Sequence, residues 1–317
     1  MSKPALGPAP PLFVVLNAGS GRGDANEARE TIESGCHAAG RPLRVFAAGH
    51  PSQLAALARE AVDAARAAGG VVVVAGGDGT INAVAQLAHR AGCAFGVLPQ
   101  GTFNYFSRAH GIPPDTGEAL QVLLQGEVQP VQVGQVNERL FLVNASLGLY
   151  ARLLEDREAF KAKFGRSRLV AMGSALVTLL RGYRMLALRI AFRGEMRELR
   201  TATLFVGNNA LQFRQAGMPE AQALEQGELG AVALRPLGRL SLLGLALRGA
   251  LGRLGEADDV ISFSFKTLQV APARGTAARR VRVATDGEVG WLRMPLDFRV
   301  ADELLWLVKL PPDDATP

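Results

Sequence analysis

The sequence predicts an α/β N-terminal domain built on a parallel sheet, followed by an antiparallel, sheet-rich second domain. Three observations carry this. From residue 11 to about 126, short apolar strands alternate with helix-compatible runs across short links. That is the pattern of a parallel sheet covered on both faces. One strand, VVVVA at 71–75, is continuously apolar and β-branched, as suits a strand buried on both sides. Near residue 127 the texture changes to closely spaced strand-like runs separated by glycines and polar turns, which favours antiparallel pairing.

Residues 1–10, MSKPALGPAP, read as a disordered Pro/Ala tail without the apolar stretch of a secretory signal. PLFVVLN (11–17) is a short buried strand, 24–39 is helix-like, and RVFAA (44–48) is a strand. Pro51 and Ser52 open an Ala-rich helix that stops at Gly69-Gly70. After VVVVA a helix is expected from Thr80 to Ala91, then strand FGVLP (95–99) and the turn QGTFN leading into a short helix. Beyond Gly126 and Pro130 the strand candidates are VQPVQVGQV, RLFLVNASL, RMLALRIAF, TATLFVGNN, LGAVAL, DVISFSF, RRVRVATDGE and MPLDFRV. Two inserted helices are expected at about 150–181 and 239–254. The domains are therefore placed at 11–128 and 129–302.

Composition narrows the function classes. Nearly half of the 317 residues are hydrophobic and the 36 glycines are dispersed, as in a folded globular protein. Two cysteines give no disulfide framework and fit a reducing compartment. The most apolar windows, 169–180 and 240–251, are shorter than the roughly 20 residues that span a bilayer. The net charge of +6 suits anionic ligands or an anionic membrane surface. Nucleic acid is not expected as a partner, because no aromatic-interleaved basic patch or zinc-knuckle spacing is present. The four histidines show no metal-ligand spacing.

Three strand-to-helix turns carry unusual chemistry: NAGSGRG (17–23), GGDGTIN (76–82) and PQGTFN (99–104). In a parallel sheet all strand C-terminal ends lie on one edge, where ligands bind. Glycine lets backbone N–H groups approach a phosphate, and the following helix N-termini add partial positive charge. The candidate nucleotide contacts are Asn17, Ala18, Gly19, Ser20 and Gly21, then Gly76, Gly77, Asp78, Gly79, Thr80, Ile81 and Asn82, then Gly101, Thr102 and Asn104. Asp78 would repel phosphate unless it binds a cation such as Mg²⁺ or an acceptor hydroxyl. No GxxxxGK[ST] is present, so this is not a Walker-type loop.

Together, NAGSG, GGDGTIN after a valine strand and LPQGTFNYFSR after the next strand resemble the diacylglycerol kinase catalytic-domain family. That family includes bacterial lipid kinases and the sphingosine and ceramide kinases. FLVNASLG (141–148), FVGNN (205–209) and TDGEVG (285–290) agree with it. The resemblance implies an ATP-binding α/β domain, a β-sandwich-like domain that completes the lipid site, and a last strand returning to the first domain, here LLWLVKLP (304–311). It implies ATP and Mg²⁺ as cofactors, Glu288 as the base that deprotonates the acceptor hydroxyl, and Asp286 as an organiser of nucleotide, metal or the loop. Read from this sequence alone, Asp286-Gly287 is equally a hairpin turn.

The chain departs from the family pattern at several places. Tyr105 stands where an Asp often follows the Asn of the GTxN turn. Gln132 and Gln226 stand where two further carboxylates of a metal network are usual, and Ala47-Ala48 where a nucleotide-contacting Thr is usual. The departures weaken a diacylglycerol-specific activity more than a lipid kinase activity.

The leading expectation is an ATP- and Mg²⁺-dependent lipid kinase acting on a diacylglycerol-like or sphingoid hydroxyl. The alternatives are a nucleotide-binding regulatory protein of the same fold with weak or no kinase activity, and a soluble-substrate kinase such as an NAD kinase. A cytoplasmic protein, peripherally associated with an anionic membrane surface, is expected. Residues 166–184 and 239–255, arginine-flanked and apolar, are the candidate contacts. The oligomeric state stays open, a homodimer included.

Overall fold

The computed structural model describes residues 2–17, 25–154, 184–238, 241, 242, 244, 245, 248, 251–273 and 280–311. The expected helices at 150–181 and 239–254 lie mostly outside them. The chain forms two compact units, Met1–Val133 with Asp302–Pro317, and Gly134–Ala301.

The first unit is α/β. Strands β1 (Leu12–Asn17), β2 (Leu43–Ala48), β3 (Val71–Gly76), β4 (Ala94–Pro99), β5 (Glu127–Val131) and the last strand, β18 (Leu305–Lys309), form one sheet in the order β2-β1-β3-β4-β18-β5. All pairings are parallel except that of β5 with β18. Every residue of β3 and β4 is buried, which explains their unbroken apolar sequences. The sheet is covered by α1 (Ala25–Ala38), α2 (Leu54–Ala67), α3 (Asp78–Ala91), α4 (Tyr105–Ala109) and α5 (Thr116–Gln125). Helix α2 packs on β1 and α3, and α1 packs on α5. Ala58, Ala61, Val62 and Ala65 form the buried stripe of α2, at helical spacing. Asp115 caps α5 by accepting from Glu118 N at 2.9 Å, and Gly92 ends α3 in the left-handed conformation, φ 62°.

Chain order reverses beside β1: the chain steps to β2 on one side, then to β3 on the other. In open α/β sheets this switch point opens a crevice beyond the strand C-termini. The C-terminal end of β3 carries the Gly76–Gly77 turn, and β1 ends at Asn17, the first residue of NAGSGRG.

The second unit is an antiparallel sandwich. One sheet has the order β10-β9-β14-β17-β6-β7 and the other β13-β12-β11-β8-β15-β16. In chain order these strands are β6 (Gly134–Val136), β7 (Arg139–Phe141), β8 (Asn144–Gly148), β9 (Leu186–Phe192), β10 (Glu195–Thr201) and β11 (Thr203–Gly207). They continue with β12 (Leu229–Leu234), β13 (Val260–Phe265), β14 (Thr267–Pro272), β15 (Arg280–Thr285), β16 (Glu288–Arg293) and β17 (Leu296–Val300). Val136, Phe141, Leu188, Ile190, Val270 and Phe298 of the first sheet share one core with Leu147, Leu204, Val206, Ala231, Phe265 and Val283 of the second.

The run VQPVQVGQV is not one strand. Glu127–Val131 joins the first unit's sheet and Gly134–Val136 opens the second unit. Gly134 belongs there because the Phe141 ring occupies the space a Cβ would need. Similarly, RLFLVNASL bends at Leu142-Val143 between β7 and β8. Strand β10, EMRELRT, escapes a hydrophobic-pattern search because it is a charged edge strand.

On the outer face of the β8-containing sheet, Phe213 of α6 (Ala210–Gln215) lies against Gly207 and Gly230, which are paired across β11 and β12. With α7 (Ala221–Glu225), it forms a small core that includes Met218 and Leu224. A Cβ at Gly230 would overlap the Phe213 ring. Gly230→Ala is therefore expected to destabilise the protein by about 1–3 kcal/mol in urea unfolding.

Candidate functional site

The site of the first unit is built by two turns whose backbones touch. Gly77 precedes α3 with an extended backbone, and Asp78 is the first helical residue. The helix thus starts two residues before the expected Thr80, with Gly77 at the N-cap position. A Cβ on Gly101 would lie 3.0 Å from Gly77 Cα and 2.7 Å from Asn104 Oδ1. Gln100 N donates to Gly76 O at 2.9 Å, locking the β4 turn onto the β3 turn. Asn104, at φ 47°, closes its own turn: its Oδ1 accepts from Gly101 N at 3.0 Å and its Nδ2 donates to Gly101 O at 3.1 Å. Asn tolerates this left-handed conformation better than most residues. Asn17, at the end of β1, donates from Nδ2 to Thr80 Oγ1 at 2.9 Å, joining the third strand end to the same place.

The first intrahelical bond of α3 runs from Ile81 N to Gly77 O. The N–H groups of Asp78, Gly79 and Thr80 therefore have no partner within the helix and lie at its positive end, which suits an anion. Ile81 is fully buried in the core, and Asn82 is buried with Oδ1 accepting from Gln86. These two candidates support the helix through packing. Thr102 is exposed on the β4 turn. Ala18, Gly19, Ser20 and Gly21 lie outside the described residues.

Asp78 faces the start of α4. Burial pushes its carboxyl above the ordinary carboxylate range, and the backbone N–H groups of Phe106, Asn104 and Tyr105 oppose that shift. Its Oδ1 is buried and has no hydrogen-bond partner among the described residues. An orphaned anionic oxygen in a site of N–H donors fits a divalent cation that also touches phosphate oxygens. Among the described residues no three His, Cys, Asp or Glu side chains gather into a metal cluster. An ion held here would rest on Asp78, water and phosphate.

In the second unit the sequences FLVNASLG, FVGNN and TDGEVG meet at one sheet edge. Asn144 pairs with Gly207, and Ala145 with Thr285. Asp286 and Gly287, at φ 49° and 92°, make the two-residue turn of the β15–β16 hairpin. Asp286 is buried, and its carboxylate accepts from three backbone N–H groups: Leu142 at 2.7 Å, Val143 at 2.9 Å and Asn144 at 2.9 Å. Its own N–H donates to Asn144 O at 2.9 Å. Of the roles open to it, the loop-organising one has direct geometric support. Glu288 is exposed and forms a 3.5 Å ion pair with Arg139. Gly290 leaves room for that arginine, since a Cβ there would lie 2.7 Å from Arg139 Nη1.

Sequence reasoning gave no role to Arg139, nor to Asn208 and Gln212 at the same edge. Asn208 Nδ2 donates to Leu142 O at 3.0 Å, and Gln212 Oε1 accepts from Asn144 Nδ2 at 3.4 Å. FVGNN contained the signal for Asn208, whereas Arg139 has no distinguishing local pattern. Tyr105, the residue in place of an Asp, opens α4 and stacks on Phe103 with ring centroids 5.8 Å apart.

Comparison with known proteins agrees with this architecture. Residues 11–136 match the family model of the diacylglycerol kinase catalytic domain. A probable lipid kinase YegS-like protein of Klebsiella pneumoniae is 37% identical over 98 residues, 30% of this chain and 33% of that one. Another from Cronobacter sakazakii is 30% identical over 184 residues, 56% of this chain and 58% of that one. The matches thus span a third to just over half of these relatives' own length. A diacylglycerol kinase of Staphylococcus aureus is 25% identical over 239 residues, 72% of this chain and 70% of that one. A crystal structure of a diacylglycerol kinase from Bacillus anthracis covers 96% of this chain and 97% of its own, with a TM-score of 0.69 and 18% identity. The last likeness establishes the fold, and the resemblance to the diacylglycerol kinase catalytic-domain family holds.

Two substitutions test the local chemistry. Asp286→Asn places an amide NH₂ against a backbone N–H and is expected to lower unfolding free energy by about 1–3 kcal/mol in urea titration. Asp78→Asn should act oppositely on the ligand-free protein. A raised carboxyl pKa means that the ionised form opposes folding above the ordinary carboxylate range, and that this effect vanishes below it. The melting temperature of Asp78→Asn should therefore equal or exceed wild type near neutral pH and converge with it in acid, while stabilisation by Mg²⁺ and ATP falls.

Proposed function

We propose that the protein is a lipid kinase that uses ATP and Mg²⁺ to phosphorylate a lipid hydroxyl, diacylglycerol-like or sphingoid. The observation that carries this reading is the α3 N-terminus at the switch point, whose first N–H donors have no partner within the helix, beside the orphaned Asp78 oxygen. The N–H groups of Asp78, Gly79 and Thr80 bind the triphosphate. The Gly76–Gly77 and Gly101 turns let it approach the backbone, and Asp78 holds the cation. When bound, Mg²⁺ supplies neutralisation of charge on the transferring phosphoryl group. Glu288 takes the proton of the acceptor hydroxyl, and Arg139 orients the Glu288 carboxylate. Asp286 fixes the hairpin from which Glu288 projects.

The relatives named as lipid or diacylglycerol kinases support the reaction class. No described helix is long and apolar enough to cross a membrane. In this reading the lipid is reached at a membrane surface from the cytoplasmic side.

A second reading is a nucleotide-binding regulator with weak turnover. Tyr105, Gln132 and Gln226, standing where carboxylates are usual in the family, favour it.

Transfer of radiolabel from γ-labelled ATP into a panel of diacylglycerol, sphingoid and ceramide acceptors tests the kinase reading. A phosphorylated lipid is expected from wild type. Glu288→Gln should lower the rate by roughly 10²–10⁴-fold without loss of nucleotide-dependent thermal stabilisation. Thermal stabilisation by ATP with no product on any acceptor would favour the regulator, and full activity of Glu288→Gln would remove Glu288 from the mechanism.

A further inference from the structure

Strand β16 is the edge of its sheet, and the two faces of the β15–β16 ribbon differ sharply. On the inner face Val283 lies in the sandwich core, and Val281 and Leu292 pack against it. On the outer face Arg280 is directly opposite Arg293, and Arg282 is directly opposite Trp291. All four are exposed, Trp291 at 54%. The guanidinium of Arg282 lies 5.0 Å from the Trp291 ring centroid and that of Arg280 6.0 Å from it. The remaining positions on that side of the two strands, Ala284, which is fully buried, and Val289, which is half-buried, carry no charge.

Like charges directly opposite each other on an antiparallel pair are destabilising. The Arg280–Arg293 register sets two like charges directly against each other. An indole set among guanidinium groups also has the composition of a surface that meets lipid headgroups. The indole sits at headgroup depth, and the guanidinium groups pair with phosphate oxygens.

We propose that the outer face of the β15–β16 ribbon, formed by Arg280, Arg282, Trp291 and Arg293, is a docking surface for an anionic phospholipid bilayer. The identity of the partner rests on the lipid-kinase reading; the charge and aromatic pattern are independent of it. The surface is distinct from 166–184 and 239–255, the segments that sequence pattern favours. It adjoins the turn carrying Asp286 and Glu288 through the same two strands. Docking here sets the candidate base at the end of a ribbon that lies against the headgroups.

The test is co-sedimentation of the full-length protein with vesicles of phosphatidylcholine alone, or mixed with phosphatidylglycerol, in the absence of nucleotide. Wild type is expected to bind the mixed vesicles, to bind less as salt rises, and to leave the neutral vesicles in solution. Arg280→Gln combined with Arg293→Gln should weaken binding by roughly thirtyfold, with a melting temperature equal to or above wild type because the repulsive pair is gone. Trp291→Phe should abolish a vesicle-induced blue shift of tryptophan emission. Unchanged binding by the double variant, equal binding to neutral vesicles, or preferential binding of duplex DNA over mixed vesicles would each overturn the proposal. Because no turnover enters the measurement, failure of the kinase reading and failure of this docking surface give separate results.

Discussion

The backbones of Gly77 and Gly101 approach so closely that a side chain at Gly101 would meet Gly77 Cα and Asn104 Oδ1. The rest of the first unit's site depends on this contact. It holds the end of β3 against the end of β4 and so fixes where α3 begins. It sets the start of α4 opposite Asp78, and the N–H groups there offset the burial of that carboxylate. The buried strands β3 and β4 give the contact its rigidity, since neither can shift without breaking a fully apolar layer.

The two units handle carboxylates by the same physical means and to different ends. Asp286 is buried and Asp78 half-buried, each beside the backbone N–H groups of a turn. Asp286 accepts three such bonds and serves as a structural tie between the β7–β8 bend and the β15–β16 hairpin. Asp78 retains an oxygen without a partner among the described residues, so it carries unused binding capacity. Glu288, two residues from Asp286, is exposed and free to meet an acceptor while Arg139 restrains it. Structural anion, proposed binding anion and proposed base thus differ in whether both oxygens find a backbone donor: both do at Asp286, whereas Oδ1 of Asp78 does not.

The fold class and the phosphate turns were legible because they rest on local signals. Four consecutive valines admit few alternatives to a buried strand, and glycines at strand ends mark close backbone approach. What stayed hidden depends on distant partners. The N–H groups that hold Asp286 belong to Leu142, Val143 and Asn144, and a backbone donor leaves no mark in the side-chain pattern. The same bend divides RLFLVNASL into two strands in different sheets, which its continuous apolar pattern conceals. Strand β10 was hidden because edge position, not apolar alternation, decides its composition. The start of α3 at Asp78 follows from the turn-on-turn contact and not from a capping residue.

The central claim is that the touching glycine turns and the α3 N-terminus form the nucleotide site, with Asp78 acting through a divalent cation. Calorimetric titration of ATP, with and without Mg²⁺, into wild type and Gly101→Ala tests it most directly. The account predicts Mg²⁺-dependent binding by wild type and at least about a tenfold loss for Gly101→Ala, the equivalent of 1.4 kcal/mol, in a protein that remains folded. Equal ATP affinity in the two proteins, or wild-type binding indifferent to Mg²⁺, would contradict it.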